Sequence, residues 1–326
     1  MKTSRIVRAI SALSLGLGLG IAGIQTVAAE KYVAATQIVE HPALDAARQG
    51  VLDELNARGY ETGKNLKWTY ESAQGNTVTA GQIARKLSGE NPDVIVAIAT
   101  PSAQAAATAA RGIPVVFSAV TDPVGAKLVP SLEKPGKNVT GVTDMLPVAK
   151  HVELMKNLIP GIKTIGVIYN PGEANSVTTV NMVKEEAPKQ GLSVVTAAAT
   201  KSSEVQMAAR SLIGKADIVY LPTDNTVISA AEAIIRVGEQ NKLPIIAADT
   251  DTVKRGAIAA LGFNYYDMGR QTGAIVARIL EGEEPGNISV ETVDTMELYL
   301  NLGAAKRMGV AVPQALQESA KEIIGE

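Results

Sequence analysis

Asp217 to Thr250 reads DIVYLPTDNTVISAAEAIIRVGEQNKLPIIAADT. Asp217-Ile-Val-Tyr-Leu221 is a continuous β-branched run, short enough for a strand buried on both faces. A polar cluster, Pro222-Thr223-Asp224-Asn225-Thr226, follows it. Val227, Ile228, Ala231, Ile234 and Ile235 then recur at helical spacing. Asn241-Lys242-Leu243-Pro244 ends that helix, and a second strand, Ile245-Ile-Ala-Ala248, leads to Asp249-Thr250-Asp251. The order is strand, polar tip, helix, strand, polar tip. Groups just beyond the carboxyl ends of parallel strands are where such sheets bind ligands, which makes Thr223, Asp224, Asn225 and Asp249 candidates to face one small polar molecule. Asp224 and Asn225 also have a local reading, as caps of the helix that follows. What separates binding from capping is whether the tip recurs.

It does recur. Upstream, Tyr32 to Ile38 reads as a strand with the tip Val39-Glu40-His41, and Pro42 suits the first position of a helix to Arg58, which Gly59 stops. Leu66 to Glu71 is a second strand with the tip Ser72 to Asn76, and a helix from Thr77 to Leu87. Asp93 to Ala99 is a third, ending at Thr100-Pro101-Ser102. The alanine-rich helix 103–111 must pack closely on the sheet. Pro114 to Val120 ends at Thr121-Asp122-Pro123-Val124-Gly125, and Val139 to Thr143 makes a fifth strand. After a helical stretch, His151 to Leu158, the plan restarts. Thr164 to Tyr169 is a strand with the tip Asn170 to Ser176, a helix runs to Lys189, Leu192 to Ala198 is a strand, and Ser202-Ser203-Glu204 opens another helix. A last strand, Ala257 to Phe263, ends at Asn264 to Asp267, followed by a helix 268–280 and a strand 288–293; periodicity assigns no fixed structure to the remaining tail. Two βα arrays in series, of about five strands each, predict parallel sheets covered by helices on both faces. Two lobes side by side leave a cleft into which both sets of tips open.

The chain has 326 residues, enough for two domains. Lys2, Arg5 and Arg8 precede an apolar stretch, 10–24, and the small residues Val27-Ala28-Ala29, the pattern of a cleavable signal peptide over residues 1–29. Gly16, Gly18 and Gly20 lie in that stretch, without the strand and helix a nucleotide loop needs. No later segment reaches about 18 uninterrupted apolar residues, so no spanning helix is expected. Cysteine is absent, which excludes a lipidated cysteine at the cleavage point, disulfides and thiolate metal sites. Without the leader, 28 Lys plus Arg stand against 33 Asp plus Glu, a net charge of −5. An acidic surface argues against nucleic acid, whose phosphates need a basic face.

Catalytic chemistry is sparse. The two histidines are His41, beside a strand tip, and His151, in a helical pattern where a solvent-edge position is expected. No G-x-S-x-G, H-E-x-x-H or phosphate-loop pattern occurs outside the leader, and Asp249-Thr250-Asp251 lacks the glycine and distal glutamate of a calcium loop. No enzyme, cofactor or metal is expected. The tips instead carry uncharged hydrogen-bonding groups and a few carboxylates. Ser102, Asn175 and Ser176 stand near helix starts, where free N–H groups favour an anion; Asp224 and Asp249 suit a cation. An α-amino acid carries both charges, and each must be matched out of water. With one Trp and two Phe, aromatic platforms for a sugar are scarce. Tyr265 and Tyr266 keep a sugar or nucleoside open and equally suit the wall of a hydrophobic side chain.

Pro222-Thr-Asp-Asn-Thr226, Asp249 through Gly256 and Gly262-Phe-Asn-Tyr-Tyr-Asp-Met-Gly-Arg-Gln-Thr-Gly273 resemble the ABC-transporter substrate-binding proteins of the tryptophan/tyrosine-uptake type. Thr100-Pro-Ser102, Phe117 through Val124, and Tyr169-Asn-Pro171 through Asn175-Ser176 fit the same pattern, so the likeness covers essentially the whole mature chain. It implies an α/β fold of two doubly wound parallel-sheet lobes around a ligand cleft, the type I periplasmic-binding-protein fold with three crossovers. The lobes would be residues 30–146 plus 265–293 and residues 147–264 plus 294–326. It also implies a periplasmic monomer that closes on a small molecule, an aromatic or other hydrophobic L-amino acid, and delivers it to an inner-membrane permease and its ATPase. A periplasmic sensor would share the same fold. Carried over residue by residue, Ser102, Asn175 and Ser176 would hold a carboxylate, and Asp224 with Asn225 or Asp249 an ammonium. Gln37, His41, Thr121 and Asn264 would line the pocket, and Thr100, Ser118, Asn170 and Thr223 complete the candidate set.

Overall fold

The computed structural model describes residues 30–293 and 295–325; the signal peptide expected over residues 1–29 lies outside the described residues. The first array runs β1 (Lys31–Gln37), α1 (Pro42–Ala57), β2 (Leu66–Ser72), α2 (Thr77–Gly89), β3 (Val94–Ile98), α3 (Thr100–Ala109), β4 (Val115–Ser118) and β5 (Val139–Thr143). After α4 (Val148–Leu158), the second runs β6 (Thr164–Tyr169), α5 (Ala174–Lys189), β7 (Ser193–Ala198), α6 (Val205–Ser211), β8 (Ile218–Leu221), α7 (Asn225–Ser229), α8 (Ala231–Asn241), β9 (Ile245–Ala247), α9 (Asp251–Lys254) and β10 (Ala259–Gly262). The remainder supplies α10 (Tyr265–Leu280), β11 (Glu291–Thr292), β12 (Glu297–Asn301), α11 (Leu302–Met308), α12 (Gln314–Ser319) and β13 (Glu322–Ile324).

One sheet has the order β11-β5-β4-β3-β1-β2, the other β13-β12-β10-β9-β8-β6-β7. Every described pairing of these strands is parallel except β10 with β12. The chain passes between the sheets three times: after β5, after β10 and after β11. This is the type I periplasmic-binding-protein arrangement. Its inner strands read as the opening stretch did: Val94 to Ile98 and Ile218 to Leu221 are buried at every residue, because helices cover both faces. The alanines of α3 also do as expected, with Ala103 and Ala106 buried against the sheet.

Three elements differ from their sequence reading. The single helix expected from Val227 onward is two, α7 and α8, separated at Ala230 (φ −118°, ψ 23°). There Ser229 Oγ donates to Thr226 O, a local bond that competes with helix continuation. Helix α10 starts at Tyr265, earlier than its apolar period suggests, because Asn264 Oδ1 accepts the Tyr266 and Asp267 amides and caps it. The strand read over 288–293 shortens to β11, which pairs with β5.

Helix α10 returns to the first sheet and crosses α1 at very close range. A methyl at Gly269 would lie 2.1 Å from Ala47 O, and one at Gly50 would lie 2.2 Å from Tyr266 O. Both obstacles are backbone, which has no rotamer to move, so glycine is required at the contact. Around it, Arg270 Nε donates to Glu54 and Tyr266 Oη to Asp53. The crossing joins two segments separated by over two hundred residues.

His151 corrects its expected solvent-edge position. It is buried, with Nδ1 2.7 Å from Tyr220 Oη of β8 and the two rings edge to face at 5.5 Å. Burial lowers its pKa from 6.5 to about 4, so it is neutral at pH 7.

Gly269→Ala should therefore lower the urea midpoint, with m unchanged, by an amount equal to about 3 kcal/mol. His151 gives a pH test. Below about pH 6.5 the unfolded chain binds a proton at this residue that the folded chain refuses until about pH 4, so its contribution to stability is lost as pH falls. Between pH 7.5 and 5.0, urea unfolding should show the wild type losing about 2 kcal/mol more than His151→Gln.

Candidate functional site

In the first sheet β1 lies between β2 and β3, and in the second β6 lies between β7 and β8. Each is the point where successive connections leave in opposite directions, opening a crevice at the carboxyl ends. The two crevices meet around a small cavity of about 20 Å³. From the first-sheet side come His41, Ala43 and Leu44 at the start of α1, Ala119 after β4 and Asp144 after β5. From the second come Asn175, the Thr223 to Asn225 tip, Ile228 and Asp249, and Tyr265 closes the wall. Ala119 has φ 56° and Ala99, just before α3, has φ 72°. Left-handed alanines are strained, and such strain gathers at ligand sites.

The opening stretch supplies the centre. Asp224 is fully buried. Its Oδ1 accepts the Val227 amide at 2.9 Å, capping α7. Its Oδ2 accepts the Asn170 amide and the Ser176 hydroxyl. Burial, and then the neighbouring Glu173 carboxylate, raise its pKa well above the usual range. The expected partner of a ligand ammonium is thus first of all a structural acceptor, filled by the protein's own donors. Asp249 is less occupied: Oδ1 accepts the Thr252 amide at 2.8 Å, while among the described residues Oδ2 meets only the Thr252 hydroxyl. Burial raises its pKa too.

Two carboxylates absent from the candidate set prove central. Glu173 is buried beside Asn175 and accepts the amides of Asn225 and Thr226, at 3.1 and 3.0 Å, together with side-chain donors of Asn170, Asn175, Asn225 and Thr226. Asp144 is buried and lines the cavity; it accepts Thr121 Oγ1 at 2.9 Å and Tyr265 Oη at 2.8 Å, and burial raises its pKa. An acidic residue directly before a helix start was the available signal for Glu173. For Asp144 it was a carboxylate directly after the fifth strand.

The remaining candidates divide clearly. His41 lines the cavity, with its Nδ1 buried and without a partner, and burial lowers its pKa to about 3. Asn175 Oδ1 is likewise buried without a partner. Thr121, expected in the pocket wall, is not part of it, but its hydroxyl is 3.1 Å from that of Thr223. Since Thr121 donates to Asp144, Thr223 donates to Thr121, a bond from one sheet's tips to the other's. Thr100 and Ser102 have buried hydroxyls without partners but are not part of the cavity wall. Gln37 is drawn away: its Nε2 donates to Val39 O and Asp45 and its Oε1 accepts from Arg48. Ser118 hydrogen-bonds Thr272, and Asn170 is spent on Asp224, Glu173 and Thr226. Ser176 gives its hydroxyl to Asp224, so a carboxylate-binding role at that atom loses its donor. Asn264, expected in the pocket wall, is instead an exposed helix cap.

Residues 32–324 match the family described as ABC transporter substrate binding protein. A tyrosine-binding protein of Clostridioides difficile (strain R20291) is 43% identical over 279 residues, covering 86% of this chain and 81% of its own. An ABC domain in complex with L-Trp from Streptococcus pneumonia is 33% identical, with a TM-score of 0.88 over 91% of this chain and all of its own. The ligand-free, open structure of a substrate binding protein with adhesive properties from Clostridium difficile is 41% identical. It superposes less closely, at a TM-score of 0.68 over 91% of this chain and all of its own.

Asp224→Ala removes a cap, at about 1 kcal/mol, and leaves the Asn170 amide and Ser176 hydroxyl without their acceptor, at about 1–3 kcal/mol each. Relief of the buried charge offsets part of this. A net loss of about 3 kcal/mol in urea unfolding is expected; wild-type stability would contradict the structural role.

Proposed function

The chain belongs to the ABC transporter substrate-binding protein family, and from that premise we propose that it is the ligand-capturing receptor of an importer. It takes a small zwitterion, an aromatic L-amino acid, into the cavity between the two sheets. The carrying observation is the composition of that cavity. Three buried carboxylates, Asp144, Asp224 and Asp249, face it from both sheets, no Lys or Arg among the described residues lines it, and Leu44, Ile228 and Tyr265 add apolar surface. A ligand with an ammonium group and a hydrophobic side chain complements this wall. The tyrosine and tryptophan in the names of the two relatives support the same class.

The wall is shared between sheets, which supplies a mechanism. A ligand drives closure only by the contacts it makes in the closed state and not in the open one. The Thr223 to Thr121 hydrogen bond spans the two sets of tips. The closer superposition on the L-Trp complex than on the open, ligand-free relative, despite lower identity to the former, supports a closed conformation here. Asp249, with one oxygen lightly occupied, is the ammonium partner in this reading. The receptor acts as a periplasmic monomer, exported by a cleaved leader, and passes its ligand to an inner-membrane permease and ATPase.

The test is thermal unfolding of protein stripped by unfolding and refolding, against the twenty amino acids and a few sugars and nucleosides. At a hundredfold the dissociation constant, a true ligand adds about 2.7 kcal/mol. Trp, Tyr or Phe should raise the Tm and acidic, basic and small amino acids should not. A shift with sugars or nucleosides alone would overturn the assignment.

A further inference from the structure

We infer that the first turn of α1 is the subsite for the ligand's carboxylate, with the Ala43 and Leu44 amides as donors and His41 at its edge. This rests on the zwitterion reading above and adds the direction in which the ligand lies.

Helix α1 is sixteen residues long and starts at Pro42, with His41 in the cap position at φ −158°, ψ 159°. A residue here ordinarily offers an oxygen to the amides of the first turn. Asn76 does so for α2 and Asn264 for α10. His41 makes no such bond, and among the described residues the amides of Ala43 and Leu44 have no acceptor. Both residues line the cavity. A long helix therefore brings its positive end, with these two donors, to the cavity wall.

His41 independently points to a ligand. Only 8% exposed, it lines the same cavity and leaves Nδ1 without a partner. The charged groups around the cavity allow one orientation. The remaining wall includes Asp144, Asp224 and Asp249, whose carboxyl groups disfavour an anion beside them. The other long helix starting here, α5, has its first turn faced by Glu173 and by Asp224, which holds Ser176. On the α1 side the influential charge is instead Arg255, whose field lowers the His41 pKa further. Its guanidinium is held by Glu232 and Ile228 O. An anion is thus accommodated at α1 and a cation at the Asp249 side, so a zwitterion enters in one direction.

Calorimetry separates the possibilities. In the wild type, L-tyrosine should bind about 100-fold more tightly than tyramine, which keeps the ammonium and ring and lacks the carboxylate; charge-assisted hydrogen bonds have this size. L-tryptophan with tryptamine and L-phenylalanine with phenethylamine serve as parallel pairs. His41→Asp then places a carboxylate of the protein's own on the α1 amides. It should weaken L-tyrosine at least about tenfold, leave tyramine within about threefold, and not lower the Tm, since Asp is a good cap. Equal binding of amino acid and amine by the wild type overturns the subsite while leaving the cavity's ligand class intact, and needs no variant to fold. Discrimination that persists unchanged in His41→Asp, or equal loss of both ligands, removes the subsite from α1. Failure of every amino acid to bind the wild type overturns the parent reading and this one together.

Discussion

Two buried carboxylates meet at the start of one short helix, and the second half of the cavity depends on them. Asp224 and Glu173 between them accept the amides of Asn225, Thr226 and Val227, the whole first turn of α7. The same pair takes donors from the segment after β6: the Asn170 amide, the Ser176 hydroxyl and the Asn170 and Asn175 side chains. Two loops from separate strands are thereby fixed to each other. Burying two carboxylates side by side is costly unless nearly every lone pair finds a donor. Here the donors are supplied by the backbone that the carboxylates organise, so the arrangement forms as a unit and loses more than one bond when either member is removed.

The link between the sheets is thinner. Thr223 donates to Thr121, Thr121 to Asp144, and Tyr265 to the other oxygen of Asp144. One hydroxyl–hydroxyl contact joining a rigid second-sheet half to a first-sheet half is a modest bond, about 1 kcal/mol by the general magnitude of such interactions. Each half is separately well held, the first by the glycine crossing of α1 and α10, the second by the paired carboxylates. The bond between the tips is modest beside these, which suits the proposed closing, in which the ligand supplies most of the difference between the two states.

Much of the candidate cavity wall was legible because groups that follow parallel strands arrive at one edge of the sheet. His41, Asn175, Thr223, Asp224, Asn225 and Asp249 all lie just past a strand or at a helix start, and all reach the cavity wall. The same rule overreached at Gln37, Ser118 and Asn264. Gln37 and Ser118 end their strands and Asn264 follows one, and each is claimed by a nearer partner: Asp45 and Arg48, Thr272, or the amides of α10. Spacing identifies which residues arrive at the carboxyl edge; it does not say which of several donors and acceptors there will satisfy one another first. Glu173 and Asp144 escaped for the converse reason, since a single carboxylate between a strand and a helix looks like a solvated loop residue until its neighbours from distant strands are present.

The sequence by itself determined the alternation of strand, tip and helix, the two successive arrays and hence the parallel sheets, because periodicity and helix start signals are local and burial on both faces leaves a continuous apolar run. It also carried the family resemblance across the chain. Only the tertiary structure decided which tips face one another, that His151 is sealed against Tyr220, and that Asp224 is filled from within while the α1 amides are left free. Those outcomes depend on pairs such as Asn170 with Asp224, Thr121 with Thr223 and Tyr265 with Asp144. Their members come from different strands, and hydrogen bonding between groups so far apart in the chain has no signature in the spacing of either one.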